Sequence, residues 1–183
     1  MKKFGIRSVV AIGIGTALYI VLSLVSIPLG FIPNTAIQPR AALLALMAAI
    51  YGPIVGAAVG FIGHALSDAF QYGSVWWSWV FPDAIFGLLV GLFAFKFKIE
   101  KGGFEKKQII LFNIVQVVGN AIAWILLAPI FDILIYAEPA NKVFTQGAFA
   151  FVGNIITVGV LGSILAASYS KVKSKSSSLS KED

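Results

Sequence analysis

The hydrophobic positions of the chain fall in long runs, not in the alternation of a strand or the one-sided stripe of a surface helix. Apolar residues fill 8–27, 41–51, 54–70, 80–95, 109–135 and 147–167 almost without interruption. A spanning helix needs about 20 such residues, so most of these runs read as membrane spans. Pro28 and Gly30 end the first run, and the loop "PLGFIPNTAIQPR" that follows holds three prolines. Gly52 and Pro53 divide the second run from the third. "QYGSVWWSW", a basic loop "KFKIEKGGFEKKQ" and a polar stretch ending at Gln146 separate the rest. The tail "SYSKVKSKSSSLSKED" is rich in serine and lysine and reads as disordered.

The run at 41–51 decides the count. It offers about 16 Å of helix, enough for a short span or for the first part of a longer helix kinked at Pro53. Charge separates the two. Lys2, Lys3 and Arg7 precede the first run; Lys96, Lys98, Lys101, Lys106 and Lys107 fill the middle loop; Lys171, Lys173, Lys175 and Lys181 lie in the tail. These are 12 of the 14 basic residues, and basic loops stay on the cytoplasmic side. All three clusters share a side only when 41–51 and 54–70 are separate spans. The expected fold is therefore all-α integral membrane. It is a six-transmembrane-helix bundle over residues 1–168, both termini cytoplasmic, with a disordered cytoplasmic tail over 169–183. Pro53 suits the turn between the second and third helices, because proline disfavours helix just before it. Pro39 suits the first turn of the second helix.

This topology sorts the polar residues by depth. Asn34, Gln38 and Arg40 fall in the outer loop and at the start of the second helix. His64, Asp68 and Gln71 share one face of the outer half of the third. Asp83 lies at the outer end of the fourth. Gln116 and Asn120, again four apart, lie mid-way along the fifth, with Asp132 near its outer end; Asn154 lies in the outer half of the sixth. A charged aspartate near a span's middle costs roughly 2.5–3.5 kcal/mol, so such residues call for a purpose. Their collection on the outer side, over an apolar inner half, describes a cup rather than a pore, which would need polar groups at every depth. Trp76, Trp77 and Trp79 suit either an interfacial tryptophan belt or a wall on which a flat ring stacks. His64 with Asp68, and Gln116 with Asn120, suit either interhelical hydrogen bonds or ligand contact. Arg40 either partners an aspartate or meets an electron-rich ligand group.

Composition narrows the classes further. The 183 residues are 58% hydrophobic and 12% charged, against about 25% charged in a soluble domain. No cysteine is present, which excludes disulfides, thiolate metal sites and a cysteine nucleophile, and a single histidine argues against a zinc site. No cofactor or metal is expected. The net charge of +6 reflects membrane orientation, not nucleic-acid binding. The N-terminus has the basic start of a signal peptide, but its apolar run is too long and lacks a small-x-small cleavage site. No phosphate-binding loop of the G-x-x-x-x-G-K-[ST] type, no inverted repeat and no nucleophile motif occurs. The chain reads as a non-enzymatic binding bundle without its own energy source. Small-xxx-small pairs permit close helix approach: Ala11/Gly15 and Gly13/Ala17 on the first helix, Gly56/Gly60 on the third and Gly87/Gly91 on the fourth.

Six helices in this length, small residues on the first helix and a short second helix resemble the substrate-binding S components of energy-coupling factor (ECF) vitamin transporters. The strings "IPNTAIQPRAALLAL", "GPIVGAAVGFIGHALSDAFQYG" and "WWSWV" are similar to one bacterial subfamily of them. The resemblance covers nearly the whole chain except the tail. It implies a bacterial plasma-membrane protein with a transmembrane coupling subunit and two cytoplasmic ATPase subunits as partners. It implies vitamin capture from outside, then toppling in the membrane to release the vitamin inside. Ala11, Gly15, Gly13 and Ala17 match the coupling-subunit contact, with glycine where the usual motif has a second alanine. Asn34 and Gln38 match a lid over the pocket. The expected substrate-binding set is Asn34, Gln38, Arg40, His64, Asp68, Trp76, Trp79, Asp83, Gln116, Asn120 and Asn154. Subfamily members are linked to hydroxymethylpyrimidine or to riboflavin; a cup with few polar positions suits the smaller ring. Two other classes compete: a stand-alone proton-coupled transporter using His64 and Asp68, and an assembly factor that binds another helix and no small molecule.

Overall fold

The structure is a computed structural model and describes residues 4–28 and 36–179. Its described part is almost wholly helical. Helix α1 (Ile6–Ser23) is followed by a two-residue antiparallel ladder in which β1 (Ile27–Pro28) pairs with β2 (Ala36–Ile37). Then come α2 (Arg40–Tyr51), α3 (Pro53–Tyr72), α4 (Trp77–Leu92) and a short α5 (Ala94–Phe97). The second half is two long rods. One joins α6 (Lys106–Asn120), a widened π segment Ala121–Leu127 and α7 (Ala128–Tyr136). The other joins α8 (Ala140–Thr157), a π segment Val158–Gly162 and α9 (Ser163–Leu179).

Among the described residues, four helices are long and apolar enough to cross a membrane, or five if α4 and the bent stretch after it, which turn by 52°, form one broken span. Large apolar side chains stand on the outside, among them Ile6, Phe70, Phe95 and Leu134, each at least 70% exposed. In water that surface would be a liability; in hydrocarbon it is the solvated face. Helix α2 is the exception. Nine of its twelve residues are buried, so a helix apolar on all sides is hidden in the bundle. At about 18 Å it is shorter than the hydrocarbon core.

Several boundaries differ from those the apolar runs suggest. Helix α1 ends at Ser23, not near residue 27, because Ile27 is drawn into the ladder with Ile37. The "WWSW" stretch opens α4 instead of preceding it. The expected polar loop before residue 147 is largely the first turns of α8, closed by a Lys142–Glu138 ion pair of 2.7 Å. Helix α9 continues through the lysine-rich segment to Leu179, past the boundary expected at 168.

The break between α2 and α3 was correctly placed. Gly52 sits at φ +96, a conformation natural to glycine, and Pro53 starts α3 where its missing N–H costs nothing. From that turn α3 runs antiparallel to α4, backbone to backbone. A methyl group built on Gly56 would strike the Gly87 carbonyl, one on Gly91 would strike Pro53, and one on Gly60 would lie 2.7 Å from the Asp83 carbonyl oxygen. These glycines set the register that brings His64 to Asp83.

Most basic residues of the described part meet at one end of the bundle; Arg40 does not. Arg7 bonds Glu100 at 2.5 Å and lies over the Tyr51 ring. The Phe104 N–H donates to Ser170 Oγ, and Gly102 packs on Ser174. The starts of α1 and α6, the loop at 98–105 and α9 therefore share that end. Ser23, Gln71, Trp76 and Asp132 mark the other.

Candidate functional site

Four helices contribute to a buried polar cluster toward the end opposite the lysines. His64 of α3 donates from Nδ1 to Asp83 Oδ2 of α4 at 2.8 Å; its Nε2 faces Arg40 Nη2 and Asp68 Oδ1, each 3.5 Å away. Arg40, the first residue of α2, also lies 5.1 Å over the Tyr19 ring of α1, a cation–π contact. The Tyr19 hydroxyl donates to Asp83 Oδ2, and Tyr19 fits there because Gly63 leaves room for its ring. Asp68 accepts the Trp76 backbone N–H at 3.1 Å and so caps the start of α4, where a negative charge also meets the helix dipole favourably. Two carboxylates thus flank one imidazole, and the Arg40 guanidinium lies beside that imidazole. His64, Asp68 and Asp83 are each buried, so burial is offset by pairing. The tyrosine was missed in the sequence: inside an apolar run on α1 it carries no contrast.

A second cluster is centred on Asp132 of α7. Its carboxylate accepts from Trp76 Nε1 at 2.6 Å, from Trp79 Nε1 at 2.7 Å and from the Ser78 hydroxyl. Trp76 stacks on Tyr136 with ring centroids 4.2 Å apart. Trp79 is tilted against Trp124, 5.3 Å away. Both indoles therefore have their N–H groups bonded within the chain and offer their faces. The Trp77 ring instead packs among Phe61 and Phe81, while its backbone N–H donates to the Tyr136 hydroxyl at 3.0 Å.

A third group lies along the long rod of α6 and the π segment after it. Asn113 donates to Ser163 Oγ at 2.9 Å, and Gln116 donates to the Ile155 carbonyl at 3.3 Å, tying the rod to α8 and α9. Asn120 donates from Nδ2 to both the Gln116 carbonyl and Gln116 Oε1. The widening that follows has a cause in the sequence. Pro129 has no N–H to give to the preceding turn, and the freed backbone relaxes into a π segment, a form often found at functional sites. Trp124 sits in that segment, its carbonyl packed directly on Gly147 of α8.

Of the other residues expected at the site, Asn34 lies outside the described residues. Gln38 and Asn154 are half-buried, and β2 touches α8 where Ile37 packs on Gly153. The polar residues fill the space with one another more than they line an open cup. A cavity of about 440 Å³ lies at the opposite, lysine-bearing end, between Phe4, Tyr51, Gly91 and Lys98. The two small-residue pairs of α1 also part company. Two positions apart on a helix is about 200°, so they cannot share a face. Ala11 and Gly15 are buried, Gly15 against Met47 and Val59, while Gly13 and Ala17 face outward. Ala11 and Gly15, expected at a partner's surface, serve packing within the chain.

The sequence pattern described as ECF-type riboflavin transporter, S component, matches residues 3–171. The chain belongs to this S component family. It is also 52% identical to a UPF0397 protein of an Exiguobacterium species over the whole of both chains. It is 52% identical to a UPF0397 protein of Lactobacillus johnsonii over 99% of this chain and 98% of that one. A UPF0397 protein of Lactobacillus helveticus is 53% identical over the whole of both. This S component is thus a multi-pass membrane protein of a transporter family with bacterial members, and an S component is a non-catalytic part of its transporter.

Proposed function

We propose that the chain is the membrane-embedded, high-affinity binding subunit of an ATP-driven ECF-type importer that captures hydroxymethylpyrimidine from outside the cell. The observation that supports this reading is that the buried clusters around His64 and Asp132 lie at the end of the bundle opposite the lysine-bearing segments. With basic segments cytoplasmic, the polar end opens outward. Six spans with both termini inside satisfy that arrangement: α1, α2, α3, α4, the α6–α7 rod and the α8–α9 rod, with α2 a short span shielded by its neighbours. The membrane bundle ends near residue 168, and the lysine-rich remainder through residue 183 lies in the cytoplasm of the bacterial cell.

The partners are a transmembrane coupling subunit and two cytoplasmic ATPase subunits, which supply the energy this chain lacks. Gly13 and Ala17, on the outward face of α1, form the small-residue stripe that meets the coupling subunit. Substrate contacts come from Gln38 and Asn34 of the lid, from Trp79 and Trp76 as ring faces, and from Asn120, Gln116 and Asn154. Arg40, His64, Asp68 and Asp83 hold four helices and the base of the lid in register around them. A small neutral ring suits a space with so few polar groups free to bond it. Riboflavin is the second reading, favoured by the name of the matched family.

Uptake of radiolabelled hydroxymethylpyrimidine and riboflavin tests the proposal. Cells making this chain with the coupling and ATPase subunits accumulate one of the two; cells making it alone do not. Uptake without the ATPases that collapses with a protonophore would overturn the assignment in favour of a stand-alone proton-coupled carrier.

A further inference from the structure

Among the described residues, three buried side-chain polar atoms have no hydrogen-bond partner, and two of them are Asn120 Oδ1 and Trp124 Nε1. Asn120 is 1% exposed and Trp124 is 3% exposed. A buried polar atom left unpaired is costly, and each one in a folded protein calls for an explanation. The two differ in kind. The Asn120 amide cannot turn over, because its Nδ2 donates to the Gln116 carbonyl, which only accepts; Oδ1 is therefore held as an acceptor. The indole Nε1 is a donor only. They are four residues apart, at the junction of α6 and the π segment, and at that spacing share one face of the rod. They are complementary to one another, yet no bond joins them. Beside Trp124 lies Trp79, whose own N–H is committed to Asp132.

We infer that Asn120 Oδ1 and Trp124 Nε1 read one edge of the bound ligand, an edge that carries an N–H donor next to a ring-nitrogen or carbonyl acceptor. Asn120 accepts from the donor, Trp124 donates to the acceptor, and the Trp79 face, steadied by Asp132, packs on the ring. The ligand class is a neutral flat heterocycle with an amidine- or amide-like edge, as in a 4-aminopyrimidine or the N3–H and C4=O edge of a flavin. Neither side chain is charged, so the pair favours neutral rings. This rests on the reading of the chain as a small-molecule binding subunit and adds Trp124, which that reading does not use, as a specificity-determining residue.

The test uses the full chain purified in detergent and two matched probes: 4-amino-5-hydroxymethyl-2-methylpyrimidine and the same ring with the amine replaced by hydrogen. If riboflavin is the vitamin that binds, its N3-methyl derivative is the second probe. Wild type binds the complete ligand at least about tenfold more tightly than the edge-blocked one, as sites built to bond an N–H do. In Asn120→Leu that ratio collapses to within about twofold. Trp124→Phe keeps an aromatic ring and strands no partner, so the chain still folds, but it weakens the complete ligand about tenfold, the loss expected for one buried donor. Trp124→Phe with native affinity, or Asn120→Leu with the wild-type ratio, overturns this inference alone. Wild type that binds neither vitamin overturns the binding-subunit reading, and this inference with it.

Discussion

Gly60→Ala is the sharpest test of how the α3–α4 pair is built. The added methyl would lie 2.7 Å from the Asp83 carbonyl oxygen and 3.1 Å from the Ala84 nitrogen. Ordinary contact begins near 3.4 Å, so the helices must part by roughly 0.7 Å there, and the obstacle is backbone that cannot rotate away. Carried one turn up the helix, that displacement takes the 2.8 Å His64–Asp83 bond to about 3.5 Å, the edge of a hydrogen bond. Overpacking costs about 1–3 kcal/mol, and a buried bond between membrane helices adds about 0.6 kcal/mol. Replacing a helical glycine by alanine returns about 0.5–1 kcal/mol. The net loss is about 1–3 kcal/mol. Thermal unfolding of the purified protein in detergent measures it, with Gly13→Ala as the control, since a methyl there meets nothing within 4 Å. The control should be neutral or more stable. Gly60→Ala as stable as Gly13→Ala would refute the claim that glycine contacts set the register of the site.

Three further perturbations separate the roles assigned above. Asp132→Ala strands two indole N–H groups and a serine hydroxyl; stability falls by about 2 kcal/mol, tryptophan emission shifts to the red and ligand affinity drops, whereas an unshifted spectrum would contradict the shared-carboxylate cluster. Gly13→Leu leaves melting and ligand binding intact but prevents co-purification with the coupling subunit, while Gly15→Leu destabilises the chain itself; normal assembly of Gly13→Leu would put the partner face elsewhere. Arg7→Ala breaks an ion pair whose arginine side chain is 60% exposed, so the melting midpoint should move by less than about 1 kcal/mol's worth; a collapse of the fold would mean that the lysine-bearing end is held together by this pair.

The all-helical, membrane-embedded character and the break at Gly52–Pro53 were legible because apolar runs and proline–glycine punctuation are strong signals, and the gathering of most lysines at one end followed from counting them. What the sequence concealed lies inside those runs. Tyr19 and Trp124 look like lipid-facing aromatics until Gly63 is seen to make room for the Tyr19 ring and the Trp124 indole is found buried. Asp132 was visible as an outer carboxylate, but nothing in its spacing said that three donors converge on it. The π segments left one trace, Pro129, in a run that reads as unbroken helix. The small-residue pairs of α1 were found, but hydropathy does not say which of two opposite faces turns inward; only Met47 and Val59 against Gly15 decide that. Helix ends were misplaced where polar or aromatic residues, as in "WWSW", begin a helix that hydropathy alone starts later.

The most direct measurement titrates the purified chain, alone and without any ATPase or ion gradient, with hydroxymethylpyrimidine and with riboflavin, following tryptophan fluorescence. Trp79 and Trp124 lie in contact beside Asn120, so an occupant at that place alters their emission. The account predicts saturable quenching by one of the two at sub-micromolar concentration, about −8 kcal/mol or tighter. Emission unchanged by both, with equilibrium dialysis also showing neither retained, would contradict the claim that this chain is a binding subunit in its own right.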